Sequence, residues 1–397
     1  MNVSLTEEQK VWQAKARCFA EAELLPRSLA CDRIADPRET FDWDVVKIGS
    51  QLGLRTAVVP REWGGYGIDT VTQVLVMSEL ARCDSAMAKT FSQCWKWSHL
   101  IATFCSEDQK QRFLKPFVAD DTLLLGLGHT EPNSGSDHRL PPPEDPRAGT
   151  RLRAERHGDE WILNGEKCFI ANGSVARIFF INARTNPDVG QAEGTTLFIL
   201  PVDTPGMRIG KIFNKSGWRF YQNAELIFEN ARVPHANVVG EVNGGFNLRK
   251  STSAPFGDLE LSSNALGICN AAVEMAAKQA RSRLPEGAYF RDNQAVQLKF
   301  SEMRMLTEAL RSFVLRIAAE SDDRSAPHDT SCHVLLHNFS TDAVQRVTAL
   351  NLEIHAGAGA VMLHAGADKL ARDAFIWTHL AGDSVQRMKA VRGLKIN

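Results

Sequence analysis

Apolar residues recur at helical spacing through the first third of the chain, as in Val11, Ala14, Ala16, Phe19 and Ala20, and again in Val74, Leu75, Met77, Leu80 and Ala81. Positions three and four apart share one helix face, so this stretch predicts helices. Gly64-Gly65-Tyr66-Gly67 interrupts them as a loop. Near residue 123 the pattern changes. Short apolar runs rich in β-branched and aromatic residues follow, among them Leu123 to Leu127, Ile178 to Ile181, Thr196 to Leu200 and Glu225 to Phe228, each bounded by Gly, Pro, Asn or Asp. Such runs read as strands. After Gly245 helical periodicity returns across Leu266 to Ala280, Leu298 to Ala319 and Val334 to Leu352. The chain is therefore expected to be mainly α with a central β domain, in three parts: residues 1–122 helical, 123–240 β, and 241–397 helical.

Composition narrows the setting. With 397 residues, 44% of them hydrophobic and 23% charged, the chain can bury more than one core. A net charge of −1 provides no basic field for nucleic acid or an anionic membrane surface. No run approaches the roughly 20 apolar residues of a membrane span, and Met1 to Lys10 is polar, so a cytoplasmic location is expected. The eight cysteines are scattered without a C-x-x-C pair and read as reduced core residues. His333 and His337 stand at i and i+4 but no third ligand converges on them, so no metal is expected.

The candidate chemistry begins in the turn His129 to Asp137, which follows the run ending at Leu127. Thr130, Ser134 and Ser136 offer hydroxyls and Gly135 lets backbone N–H groups come close, which suits a flat heterocycle or a pyrophosphate. Behind it come Trp161 to Asn172, Lys215-Ser-Gly-Trp-Arg219, Val233-Pro234, Gly240 and Gly244-Gly245-Phe246, with Leu5-Thr6-Glu7-Glu8 and Gln386-Arg387 near the two ends. This series resembles the acyl-CoA dehydrogenase family. The resemblance implies an N-terminal helical domain, a middle β-barrel domain and a C-terminal four-helix bundle, with FAD bound between the last two and its adenine end reaching a neighbouring subunit.

Residue by residue, it implies that Leu127, His129, Thr130, Gly135 and Ser136 form the first flavin loop and that Phe169 flanks the flavin ring, a π face being suited to stacking. Arg283 and Gln294 match a segment that reaches the FAD of the adjacent chain. An arginine fork can hold a pyrophosphate, although a solvated helix-end charge is the ordinary fate of such an Arg. Two positions depart from the pattern near the cofactor. Ala171 stands where a hydroxyl usually points at flavin N5, and Glu353 replaces a Gln in Glu353-Ile-His-Ala-Gly357.

The larger departure concerns the catalytic base. In the family a Glu eight residues beyond an Arg-Asp pair removes the α-proton of an acyl thioester; here Arg372-Asp373 is present but the eighth residue on is Ala381. The alternative location, at the start of the first C-terminal helix, falls on Gly257-Asp258. Asp258, Glu260 and Asp383 are the candidate substitutes. Asp258 and Glu260 equally suit an acidic first turn complementing the helix dipole, and Asp383 a solvated loop acid. Asp84 reads as structural. Phe91, Trp95 and Trp97 map to a wall of the family's acyl pocket, with a core stripe as the other reading, and the Pro-rich Leu140 to Pro146 stiffens a pocket rim or an interface.

The resemblance thus implies α,β-desaturation of an acyl-CoA, its acyl group expected to be cyclic, branched or steroid-like. Electrons would pass to an electron-transfer flavoprotein, in a homotetramer or a heterotetramer with a related subunit that supplies the base. A relative with changed chemistry, such as an enoyl-CoA reductase or an elimination catalyst, or a non-catalytic partner subunit, stands as the alternative.

Overall fold

The computed structural model describes residues 4–135, 144–248, 257–283, 287–323, 331–362, 366–380, 387–388 and 391. The N-terminal part is helical: α1 (Glu7–Phe19) runs through a π turn at Ala20–Leu24 into α2 (Leu25–Arg33), followed by α3 (Trp43–Gln51), α4 (Thr70–Cys83) and α5 (Ser85–Phe104). Helix α1 starts on a capping box, Thr6 accepting from the Gln9 amide while the Gln9 side chain accepts from Thr6. Its buried stripe is Trp12, Ala16 and Phe19. Val11 and Ala14 fall on the outer face, Val11 being 61% exposed. The buried stripe lies one position from the expected one, because Trp12 rather than Val11 completes the i, i+4, i+7 series. Helix α4 is buried along most of its length, and the loop ahead of it needs glycine at Gly65, where a Cβ would lie 2.2 Å from the Val59 carbonyl oxygen.

Among the described residues, eight strands between Leu125 and Val239 form one sheet. Its order is β6 (Met207–Ile212), β7 (Asn223–Pro234), β3 (Glu160–Ala171), β1 (Leu125–Gly128), β4 (Ile178–Arg184), β5 (Thr195–Pro201) and β8 (Val238–Val239), with β2 (Arg153–His157) pairing both β3 and β4. Strands β1 and β4 run parallel. All seven residues of β4 are buried, as its continuous apolar run requires of a strand covered on both faces. The C-terminal part packs α6 (Gly257–Ala280), α7 (Gln294–Asp322), α8 (Ser331–Val361) and α9 (Ala367–Phe375) around each other and against α4. One apolar core joins the two helical parts and a second lies between α5 and the sheet. No helix among the described residues is long and apolar enough to cross a membrane. Of the cysteines, Cys18 is exposed rather than in a core.

A buried charge cluster ties the three parts together. Asp84 ends α4 and caps α5, its Oδ1 accepting from the amides of Ala86 and Met87. Its Oδ2 accepts from the Ser28 hydroxyl at 2.6 Å and pairs with Lys369 Nζ at 3.0 Å. Lys369 also pairs with Asp373 at 2.7 Å, and Asp373 Oδ1 accepts from the Trp218 amide in the sheet domain at 2.7 Å. One ammonium thus serves two carboxylates from opposite ends of the chain, which holds it well above the usual lysine range despite its burial. Replacing Lys369 by Met would leave Asp84 and Asp373 buried without their counter-charge. We expect a loss of about 3–5 kcal/mol in unfolding free energy, read from urea denaturation; a change under about 1 kcal/mol would show that the cluster does not hold the domains.

Candidate active site

Pairing of β1 with β3 assembles the first part of the site. Leu127 lies opposite Ala171, and the Cys168 amide donates to the Thr130 carbonyl at 2.8 Å. Register shifts between Lys167 and Ile170 against β7 mark a bulge, and within it Phe169 takes φ +54°. The bulge turns the ring out of the sheet, where it is 57% exposed and stacks on Phe213 at 4.2 Å. The Asn223 side chain fixes this turn, donating through Nδ2 to the Phe169 carbonyl at 2.9 Å. A Cβ added at Gly135 would lie 3.9 Å from the Thr130 methyl, and the outward aromatic face beside this loop suits a flat ring and its polar edge.

A charge that the sequence reading passed over supports this loop. Glu131 is buried and accepts from the amides of Arg151 and Leu152 and from Lys167 Nζ at 2.6 Å, while Lys167 also donates to the His129 carbonyl at 3.2 Å. The available signal was Lys167 itself, a cation two residues before Phe169 in a strand. Ser134 Oγ donates to the Gly149 carbonyl at 2.7 Å, so this hydroxyl closes the loop rather than facing a ligand. Ser136 lies outside the described residues.

Lys215 sits beneath the same surface. Its Nζ donates to the Tyr221 carbonyl at 2.5 Å and to Asn223 Oδ1 at 2.6 Å, the residue that holds Phe169. Burial pulls its ammonium down to about 7, against the opposing charge of Asp373.

The second part of the site is a narrow crevice between α4, α5 and the start of α6. Trp95 forms one wall and is held by its indole N–H to the Leu54 carbonyl at 2.6 Å. Trp97, one residue beyond the next, packs instead on Phe180 in the core between α5 and the sheet. Glu260 lines the crevice and is neither an exposed first-turn acid nor unpartnered: its Oε1 pairs with Lys89 Nζ and accepts from Ser92 Oγ. Asp84 is the structural acid described above. The side chain of Asp258, together with Ala381 and Asp383, lies outside the described residues.

Arg283 and Gln294 are exposed on the helical bundle, Arg283 reaching Tyr289 Oη at 3.5 Å. Glu353 pairs with Lys299 at 2.9 Å, and Gly357 follows a break in α8 where Ala356 has φ +50°.

Three family models match in succession: the acyl-CoA dehydrogenase N-terminal domain over residues 6–121, the middle domain over 126–231 and the C-terminal domain over 243–394. The chain belongs to the acyl-CoA dehydrogenase family. Its relatives include a probable acyl-CoA dehydrogenase, YngJ, of Bacillus subtilis, 32% identical over 99% of this chain and 100% of that protein. Another is the cyclohex-1-ene-1-carbonyl-CoA dehydrogenase of Geobacter metallireducens, 31% identical over 98% of each. The butyryl-CoA dehydrogenase structure from Megasphaera elsdenii superposes with a TM-score of 0.89 at 30% identity, covering 99% of both chains. The acyl-CoA dehydrogenase fold and a flavoprotein oxidoreductase follow, and the cofactor is FAD. The open Phe169 face and the Thr130 loop fit it.

Lys215 generates a pH test. In the unfolded chain a lysine keeps its proton to about 10.5, whereas the folded site releases it near 7. Between these values the unfolded state binds more protons, so this group makes stability rise with pH across that window. Urea denaturation at pH 7 and pH 9 should show the wild type gaining on Lys215→Met with increasing pH; parallel curves would mean that Lys215 stays charged in the fold.

Proposed function

We propose that this acyl-CoA dehydrogenase oxidises an acyl-CoA thioester at Cα–Cβ, with the acyl part in the crevice between α4, α5 and α6. The observation that carries the reading is the continuity of crevice and flavin surface. Phe169 is held by Asn223, Asn223 by Lys215, Lys215 holds Tyr221, and the Tyr221 hydroxyl donates to Gln93 on α5 at 3.2 Å, next to the crevice residue Ser92. Desaturation takes a proton from Cα and a hydride from Cβ; FAD supplies the hydride acceptor, and an electron-transfer flavoprotein would take the electrons onward. The role of the chain's own residues is to seat the acyl group against Trp95, to keep the Phe169 ring turned outward, and to exclude water with the buried walls of α4 and α5. A flat indole wall suits a ring or branched acyl group, the kind of substrate named for the Geobacter relative.

Proton removal distinguishes this chain from the family pattern. Position 381 is Ala and position 257 is Gly, and the one candidate acid with a described side chain in the crevice, Glu260, already engages Lys89 and Ser92. A missing general base costs roughly 10²–10⁴ in rate. We therefore read the chain as slow on straight-chain acyl-CoAs by itself. A second reading rests on Ala381: a flavin-bearing subunit whose related partner supplies the carboxylate.

The surface supports an assembly. Arg283 and Gln294 are exposed, and Leu298 and Met305, one heptad apart on α7, are 74% and 63% exposed. An apolar helix stripe of this kind argues for a subunit contact, and we propose a tetramer in which Arg283 and Gln294 reach the neighbour's FAD.

Anaerobic mixing of the FAD-loaded protein with butyryl-CoA or octanoyl-CoA should bleach the flavin slowly, and Ala381→Glu should raise the rate by roughly 10²–10⁴. Rapid full bleaching of the wild type would refute the missing base. Light scattering should show a tetramer, and Arg283→Ala should weaken FAD retention on gel filtration by roughly 1.5–3 kcal/mol. A stable FAD-loaded monomer would remove the basis for the subunit contact.

A further inference from the structure

One residue of the crevice wall, Glu260, is an acid engaged in an ion pair, where an alkyl chain would want apolar contacts. Glu260 on α6 and Lys89 on α5 meet there with side chains only 8% and 11% exposed, and Ser92, a turn beyond Lys89, donates to the same Glu260 oxygen. Burying two charges costs stability that mutual attraction only partly repays, and apolar residues of similar size would serve packing as well or better. Val74, Met77, Trp95 and Leu259 make most of the remaining lining apolar, so Glu260 is an exception in this wall.

The pair is not saturated. An ammonium has three N–H donors and Lys89 directs one at Glu260. Both contacts to Glu260 fall on Oε1, and Oε2 accepts no hydrogen bond among the described residues. A spare acceptor, Glu260 Oε2, therefore lines the crevice, and the Lys89 ammonium holds that carboxylate in place. A group that donates a hydrogen bond satisfies it; a methyl or methylene does not and strips it of water. Because the pair is net neutral, it favours a neutral partner over an ion. Lys96, a cation that lines the crevice, is held over the Trp97 ring at 5.0 Å. Glu260 also lies within electrostatic reach of the buried Tyr221 hydroxyl, which burial first and the Glu260 charge second push well above its ordinary range. Tyr221 is the link to Lys215 and Phe169, so the pair stands on the acyl side of the flavin surface.

We propose that the acyl group which occupies this crevice carries a neutral hydrogen-bond donor beyond Cβ, a hydroxyl or a carboxamide, recognised by Glu260, which Lys89 holds in place. This rests on the reading that the crevice takes the acyl part of a CoA thioester. It makes Glu260 a specificity residue rather than the base.

The test is a five-carbon series, pentanoyl-, 5-hydroxypentanoyl- and glutaryl-CoA, titrated anaerobically into the FAD-loaded protein while the flavin spectrum is followed. The hydroxy compound should bind at least tenfold more tightly than pentanoyl-CoA. In the double variant Lys89→Met/Glu260→Leu, which replaces the pair with apolar groups of similar size, the preference should reverse. Equal binding of the hydroxy and alkyl compounds by the wild type, a preference for glutaryl-CoA, or a hydroxyl preference that survives in the double variant would each overturn the inference while leaving the acyl-CoA reading intact. No spectral response to any of the three by FAD-loaded protein would overturn both. Glu260→Gln gives a further discriminator: if it still binds the series but no longer bleaches with any member, Glu260 is the proton acceptor and its assignment to recognition falls.

Discussion

The architecture depends on one ammonium. Lys369 stands between Asp84 and Asp373 with both carboxylates almost wholly buried, and each carboxylate has a second task as a hydrogen-bond acceptor. Asp84 caps α5, the helix that carries the crevice wall, and Asp373 receives the amide of Trp218, which stacks edge-on against both Tyr221 and Trp377. Beside it Arg372 adds a bidentate contact to Asp32 at 2.6 Å and 3.1 Å and donates to the Ser216 carbonyl. The segment from Lys215 to Asn223, which supports Phe169 from below, is therefore anchored to the helical bundle through Ser216 and Trp218. Flavin surface and crevice keep their relation because the charges that fix them are shared.

Support of this kind differs from packing in its tolerance. Apolar cores accept rearranged side chains of similar volume, but a buried carboxylate accepts few partners at few angles. The same logic recurs at Glu131 and Lys167 under the flavin loop and at Arg55, a buried guanidinium that donates to the carbonyls of Phe117 and Leu123 and so ties α3 and the helical segment before β1 to the sheet. Burial pulls that guanidinium down from its usual range, and the carbonyls replace the water it has lost. Each strand or loop of the site is thus fixed by a charge held beneath it.

Much of this was legible from the sequence, for identifiable reasons. The order of helices, strands and helices could be read because the apolar period changes near residue 123 and again past Gly245, and the series from Thr130 to Arg219 carried the family resemblance. Leu127, Thr130, Phe169 and Ala171 are drawn together by a strand pairing that their spacing allowed. The Glu260–Lys89 pair could not be read, since 171 residues separate its members and each alone looks like an ordinary helix charge. Trp95 and Trp97 looked alike in sequence and part company in the fold, one to the crevice and one to a core, because two residues along a helix is a rotation of more than half a turn. Val11 misled for a related reason: an apolar neighbour one position from Trp12 lies on another face.

The shared ammonium also imposes an order in time. Ser85 and Asp373 are 288 residues apart in the chain, and Asp32 and Arg372 are 340. At 5–20 residues per second a ribosome needs roughly a quarter of a minute to a minute to cover such a span. Until then Asp84 has a serine and two amides for company but no cation, and the sheet is made before the helix that pins it. The nascent chain can form α4 and α5 early, yet it cannot lock them to the flavin segment until Lys369 and Asp373 emerge. A product stalled before Lys369 would therefore hold the crevice helices and the flavin segment without the charge that joins them.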